Sequence, residues 1–511
     1  MQEYNLPMVK TLQRGLRNRS DSRRDKDLLT QCKGMRPTEN GLRSCVEVKN
    51  PFAAVPVIDW PFPQLLRSQA ETLLAFDDEI FSVSEADGWS LSALNTYDLH
   101  EPSKAKDITL GSSWHMAELP KGWILANGES TIFKLGDQPA YVQDEIQINS
   151  CCHFRGRVIY GGFSPANFFS AGWRSLWSRW TENFPYEIDA SFDDDTRNWV
   201  YWTTIGGGDV LLPFAPELTS AGLLKEDIPS ASDEAFYLEL FKRNELGFMP
   251  MPWQGSVYIV KELGKGVVVY GENGIAALVP VSEPYPTFGL LLLSHEGVAG
   301  RNAVGGDWRR HVFADRAGVL WSLDANYNLR KLDYSEYINQ LVGELAFSYD
   351  AEEDEHYISG SNACFVLTPT GMGESPQVVT SCQRVGESLF GVSQIKSAEA
   401  IGVTDTIDFN YRDYKTLTGI EIGKTGAKMW VAADCDYGAG FKRSSFVPIN
   451  SAGFARLQKT ALNFRLVFKA ESYEDLAIDY INIRWQVSGK RTIRGMYAST
   501  TGSEPDNGSL G

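Results

Sequence analysis

Between about Val55 and Val392 the chain returns again and again to one local pattern: two short alternating runs joined by a glycine or acidic turn. It appears in WHMAELPKGWILANGESTIFKL (114–135), CCHFRGRVIYGGF (151–163) and VYIVKELGKGVVVYGENGIAALVPV (257–281). It returns in HVFADRAGVLWSLDANYNLRKLDY (311–334) and LAFSYDAEEDEHYISGSNACFVLTP (345–369). Alternation with period two places apolar side chains on one face of a strand, and Lys-Gly, Arg-Gly or Ala-Gly between two runs supplies a tight turn. Antiparallel hairpins repeated over most of a chain leave two architectures, a propeller and a large sandwich. An apolar strand, a turn and Gly-x-Leu/Val/Ile-x-x-Leu recur at roughly 40–60 residues, close to the length of a four-stranded blade. That rhythm favours an all-β fold with a β-propeller-like domain over residues 55–392, a twisted sandwich being the competing reading. No Trp-Asp or kelch signature repeats, and the spacing is too irregular to fix the number of blades.

Two stretches break the strand rhythm. PANFFSAGWRSLWSRWTENFPY (165–186) places Trp173, Trp177 and Trp180 on one helical face. Such a helix either packs on the propeller or anchors a subunit contact, because clustered Trp bury large areas at interfaces. A second helical insertion is expected near 232–246, where DEAFYLELFKRNEL opens acidic and closes on Lys-Arg. After Ser393 the alternation becomes nearly uniform, which predicts a C-terminal β-sandwich over 393–498 and a small, polar tail over 499–511.

Charge divides the chain. Residues 1–50 carry eleven Lys/Arg against six Asp/Glu, a net of +5, which leaves −22 on the other 461 residues of a chain at −17. An acidic body disfavours general nucleic-acid binding, which needs clustered Lys and Arg. In the basic stretch RGLRNRSDSRRDKDLLTQCKGMRPTENGL (14–42), Asp21, Asp25 and Asp27 dilute the positive run. They weaken both a DNA-binding tail and a targeting peptide. Residues 1–54 therefore read as an extended arm that orders on a partner, with Arg14, Arg17, Arg19, Arg23 and Arg24 as candidate assembly contacts beside Trp173, Trp177 and Trp180. Pro-Thr-Glu-Asn-Gly at 37–41 reads as the turn that delivers this arm into the folded body. Aromatics at 12%, with 14 Trp, point the same way, towards extensive buried contact.

The search for chemistry returns no catalytic, cofactor or metal site. IGKT (422–425) lacks the first glycine of a phosphate loop, Thr418 standing there, and no helix pattern follows. GFSPA (162–166) ends in Ala166 where a nucleophile elbow needs glycine. The six histidines form no metal-binding pair, and the seven cysteines form no Cys-x-x-Cys, so reduced thiols are expected. The acidic runs at 193–195 and 352–356 read as solvated turns. No apolar run approaches the roughly 20 residues of a membrane span, and no leader pattern opens the chain, which together predict a soluble, unexported protein.

One layout brings these pieces together. GMRPTENGLRS (34–44) closes the arm, and GVVVYGENGIAALVPV (266–281) leads into HEGVAGRNAVGGDWRRHVFADRAGVLWSLDANYNLRKLDYSEYINQLV (295–342). KMWVAADCDYGAGF (428–441), FRLVFKA (464–470) and INIRWQV (481–487) follow in the terminal sandwich. This order resembles the head-to-tail connector and tail-hub proteins of tailed phages. The resemblance implies a non-enzymatic virion structural protein of the tail, assembled in the host cytoplasm as a homo-oligomeric ring with six-fold symmetry. It implies a portal or adaptor protein above, and nozzle, needle or fibre proteins below. Genomic DNA would pass through the lumen without sequence-specific binding. Two other readings stand beside it: a carbohydrate-binding or glycan-hydrolysing propeller, and a tail-tip receptor-binding protein.

Overall fold

The computed structural model describes residues 2–5, 13–17, 29–51, 63–68, 71–76, 79–84, 90–98, 103–109, 113–119, 122–143, 147–164, 196–203, 205, 247–281, 287–395, 397 and 399–489. They are almost entirely β-structure and fall into two compact units, one built mainly from residues 45–397 and the other from residues 1–17, 23–44 and 398–511. The helical expectations at 165–186 and 232–246 lie outside the described residues.

The larger unit is a β-propeller of seven sheets. Blade 1 holds Gln64–Arg67, Thr72–Phe76, Glu79–Ser84 and Ser90–Ala93. Blade 2 holds His115–Leu119, Gly122–Ala126, Thr131–Leu135 and Ala140–Gln143, with Thr96–Asp98 added parallel to its outer strand. Blade 3 comprises Gln147–Phe154, Arg157–Ser164, Trp199–Trp202 and Gly247–Pro250. Blade 4 comprises Val257–Leu263, Gly266–Gly271, Ile275–Pro280 and Phe288–Ser294. Val304–Asp307, Arg310–Ala314, Leu320–Asp324 and Leu329–Asp333 make blade 5. Ala346–Asp350, Glu355–Ser359, Cys364–Leu367 and Met372–Glu374 make blade 6. Blade 7 is the hairpin of Gln377–Val385 and Ser388–Ile395.

Every hairpin expected between 114 and 369 is present, each turn at its predicted punctuation. At Arg155-Gly156 both residues have positive φ, 48° and 79°, the two-residue turn whose twist matches the flanking strands. Apolar side chains from consecutive blades interdigitate. Leu73, Ala75 and Ile80 of blade 1 pack with Trp123, Leu125 and Ile132 of blade 2. Ile259, Val268 and Tyr270 of blade 4 meet Val304, Phe313 and Leu323 of blade 5. Leu65, Leu74 and Val83 of blade 1 reach Val378 and Val392 of blade 7, so the sheets close on themselves.

Closure uses a strand from the opposite end of the chain. Val48–Lys49 pairs in parallel with Leu389 and Phe390 of blade 7. The Val48 N–H donates to Gln377 Oε1 at 2.8 Å and its carbonyl accepts from Gln377 Nε2 at 3.0 Å. Ser393 Oγ donates to the same carbonyl at 2.9 Å. Residues 1–54 are thus not simply an extended arm, because part of them is a structural strand of the last blade.

The smaller unit corrects the same expectation further. Gly41–Ser44 hydrogen-bonds the long strand Ala477–Val487, which also pairs with Lys415–Thr425 and with Gln2–Asn5. Leu29–Lys33 adds to Ala400–Thr404, which continues through Asn463–Ala470 to Met429–Asp436. The two sheets share a core in which the Phe409 ring stacks on Trp485 at 4.9 Å and meets Phe464 at 6.0 Å. This is the β-sandwich expected after Ser393, with residues 29–44 as integral strands. The turn read in Pro-Thr-Glu-Asn-Gly is the tip of the hairpin Met35–Thr38 and Gly41–Ser44, already inside the sandwich.

Substituting Gln377→Leu keeps the bulk but leaves the buried Val48 N–H without its acceptor. A loss of about 2–3 kcal/mol is expected, read as a lower urea midpoint with an unchanged slope. An unchanged midpoint would contradict this role for the closing strand.

Candidate functional site

The first strands of the seven blades surround the propeller axis, and side chains bridge one end of the opening. Gln64, at the start of blade 1, donates from Nε2 to Asn302 Oδ1 at 3.1 Å, just before blade 5. Gln64 Oε1 accepts from the Trp114 N–H of blade 2. The neighbouring Arg301 reaches across to the Asn127 carbonyl of blade 2 at 3.5 Å. These contacts tie blades 1 and 2 to the segment that leads into blade 5.

Sequence reasoning missed several basic groups of the inner strands. Lys261 sits on Val257–Leu263, between Ile259 and Leu263 on the face that packs against blade 5. Burial pushes its ammonium down to about 8, with Asp307 pulling the other way. His115, bonded to Ser113 Oγ at 3.3 Å, is driven down to about 3 by burial and then by the charges of Lys261 and Arg301. Arg301 feels Glu129 and Glu344 in turn.

Lys261 also bears on two fully buried imidazoles. His311 Nδ1 bonds the Tyr270 hydroxyl at 2.8 Å, while its Nε2 lies near the Glu262 backbone without reaching hydrogen-bond geometry. Neither ring nitrogen of His356 has a hydrogen-bond partner, and its ring packs on Tyr349 at 4.6 Å. Gly305, on the inner strand of blade 5, makes room for it: a side chain there would meet His356 Nδ1 and Phe347. The sequence signal was the parity of VYIVKEL, where a lysine occupies a position its neighbours fill with apolar residues.

The expected assembly contacts do not converge here. Arg14 is exposed, and Arg17 Nη1 bonds Asp405 Oδ2 at 2.8 Å within the smaller unit. Arg19, Arg23, Arg24, Trp173, Trp177 and Trp180 lie outside the described residues, as does the acidic run 193–195. The run at 352–356 is only partly a solvated turn: Glu352 and Glu353 are exposed at the tip, while Glu355 and His356 are buried in the following strand. Beside it, buried Asp350 is paired with Arg384 of blade 7, whose Nε bonds Asp350 Oδ1 at 2.9 Å.

Each of the seven cysteines is a free thiol. No group of three His, Cys, Asp or Glu among the described residues is placed to hold a metal ion. No described helix is long and apolar enough to cross a membrane. In the smaller unit Trp430 and Phe446 flank a shallow groove, but Lys469 Nζ lies over both rings, at 6.0 and 5.3 Å from their centres.

No protein-family model matches the sequence, and comparison with curated proteins returns no match. Among solved structures the chain is similar to PorZ of the type-IX secretion system of Porphyromonas gingivalis, at 8% identity and a TM-score of 0.35, covering 66% of this chain and 35% of that one. The chain thus spans only about a third of PorZ. It is also similar to the Neurospora crassa Pan2 WD40 domain, at 8% identity and a TM-score of 0.33, covering 66% and 84% of the two chains. For Kluyveromyces lactis Hsv2 the identity is 7% and the TM-score 0.29, over 66% and 85%. Likenesses this loose say nothing of function.

The buried histidines set a pH dependence. Their native pKa values are depressed, so below about 6.5 the unfolded chain binds protons that the folded chain does not. Stability is therefore complete above that value and falls as pH drops through it, by up to about 1.4 kcal/mol per pH unit for each buried imidazole. Urea midpoints should fall between pH 7.5 and 5, and His356→Phe should flatten that decline. An identical decline in the variant would contradict the assignment.

Proposed function

We propose that the chain is a non-enzymatic virion structural protein, a ring-forming head-to-tail connector or tail-hub component of a tailed bacteriophage. The observation that carries this reading is the outer strand of blade 4, Phe288–Ser294. It is a seven-residue edge, FGLLLLS, without one charge, and Leu291 and Leu292 are 46% and 38% exposed. Two other outer edges are defended. Blade 5 ends in Leu329–Asp333, which carries Arg330 and Lys331, and blade 2 is covered by Thr96–Asp98. An undefended apolar edge pairs with another chain, and one contact repeated around an axis makes a ring.

In this reading the DNA conduit runs between copies of the chain, around the ring axis. The −22 charge outside the first 50 residues gives such a lumen walls that do not hold DNA. The partners in this reading are further copies of the chain, a portal or adaptor protein above, and nozzle, needle or fibre proteins below.

Leu291→Lys places a charge on the exposed edge without touching a buried residue. Sedimentation should show smaller species for the variant at concentrations where the wild type associates, with an unchanged far-UV spectrum. Negative-stain images of the wild type mixed with its portal should show rings docked end-on. Equal association by the variant, together with no portal binding by the wild type, would reject the reading.

A further inference from the structure

The sandwich carries a groove whose walls come from neighbouring strands of one sheet. Trp430, on Met429–Asp436, stands directly opposite Lys469, on Asn463–Ala470, and Ala400 pairs with Ala470 at the end of that strand. Glu399 immediately precedes Ala400. Glu471 immediately follows Ala470, its N–H held by the Lys428 carbonyl at 3.0 Å. Alternation along Met429–Asp436 sends Met429 and Val431 into the core and leaves Trp430 half-buried on the other face. Phe446 forms the second wall, fixed against Val403, Ala432 and Val467. The space these residues line has a volume of about 380 Å³, within the range of small-molecule sites.

Charge decides what fits there. Lys469 Nζ lies 6.0 Å from the centre of the Trp430 ring and 5.3 Å from that of Phe446, so a cation already faces the aromatic pair and repels a second. Glu399 and Glu471 line the same groove, so an anion meets two carboxylates against one ammonium. A purely apolar ligand would strip water from three charged groups without compensation. A neutral molecule with C–H groups on its face and hydroxyls at its edge escapes all three penalties. We propose that the groove binds a neutral pyranose ring of an oligosaccharide, packed on Trp430, with its hydroxyls bonded by Lys469, Glu399 and Glu471. The weakly positive C–H face of such a ring complements the negative face of the indole. Its hydroxyls donate to carboxylates and accept from an ammonium in charge-assisted bonds. Partners are available: among the described residues the Glu471 carboxylate and the Trp430 indole N–H make no hydrogen bond. The ion pair of Lys469 with Glu399 spans 3.5 Å, and the two side chains are 31% and 62% exposed, so the ammonium is free to leave the rings for a hydroxyl.

An array of neutral, sialylated and sulfated oligosaccharides beside immobilised choline, probed with the full chain, tests the site. Neutral oligosaccharides should retain the chain, and the charged glycans and choline should not. Calorimetric titration with the tightest neutral hit should show binding to Trp430→Ala weakened by at least about tenfold. Glu471→Ala, at an exposed position, should fold as the wild type does and weaken binding severalfold; it decides alone if Trp430→Ala does not fold. Trp308→Ala removes a tryptophan that is 59% exposed on the propeller and should bind like the wild type. Leu291→Lys should do so too, which keeps this inference separate from the ring proposed above. No neutral glycan bound by the wild type, hits confined to charged glycans or choline, or unchanged affinity in either groove variant would overturn the proposal.

Discussion

The propeller depends on a hydrogen-bond pair made across 329 residues of sequence, between the Val48 backbone and the side-chain amide of Gln377. A ring of sheets has two free ends, and an open last blade would leave ladder groups unpaired beside a buried face. Gln377 answers both Val48 groups at once, and Ser393 adds a second donor to the same carbonyl. Packing between blades 7 and 1 then follows, with Leu65 and Leu74 set against Val378 and Val392. Because the closing strand sits near the N-terminus, the ring is completed only when almost the whole propeller sequence is present. Non-local closure of this kind favours slow, cooperative folding.

Burial pushes down the imidazoles of His115, His311 and His356, and the charge of Lys261 adds to the effect. The glycine at 305 contributes by absence, leaving space that His356 fills. Polar groups of this kind are costly inside a β-core. Burial likewise lifts the Cys151 and Cys382 thiols to about 12, away from the thiolate form.

Much of the fold was legible in sequence, because hairpins are local. VYIVKELGKGVVVYGENGIAALVPV already contained three strands of blade 4 and both of their turns. The number of blades was not legible. In blade 3, Arg157–Ser164 and Trp199–Trp202 are neighbours in the sheet but lie far apart in sequence, and Gly247–Pro250 is farther still. Such insertions destroy any regular period. The first 50 residues misled for a different reason. MRPT and GLRS have little strand character of their own, and their place is set by pairing with Ile478 and Ala477 at the far end of the chain. The buried histidines and Lys261 were largely hidden, since they come from separate blades and only the odd parity of Lys261 marked them.

The apolar edge of blade 4 ties this architecture to the proposed role. Leu291 and Leu292 stand exposed in a strand with no charge, whereas the outer strand of blade 5 carries Arg330 and Lys331 and that of blade 2 is covered. A protein built to remain solitary would have defended that edge. The most direct measurement is the native mass of the purified full-length chain at micromolar concentration. The account predicts a discrete closed multiple of 56.9 kDa, six copies in the form the phage resemblance implies. A single 56.9 kDa species at every concentration, with and without the portal, would contradict it.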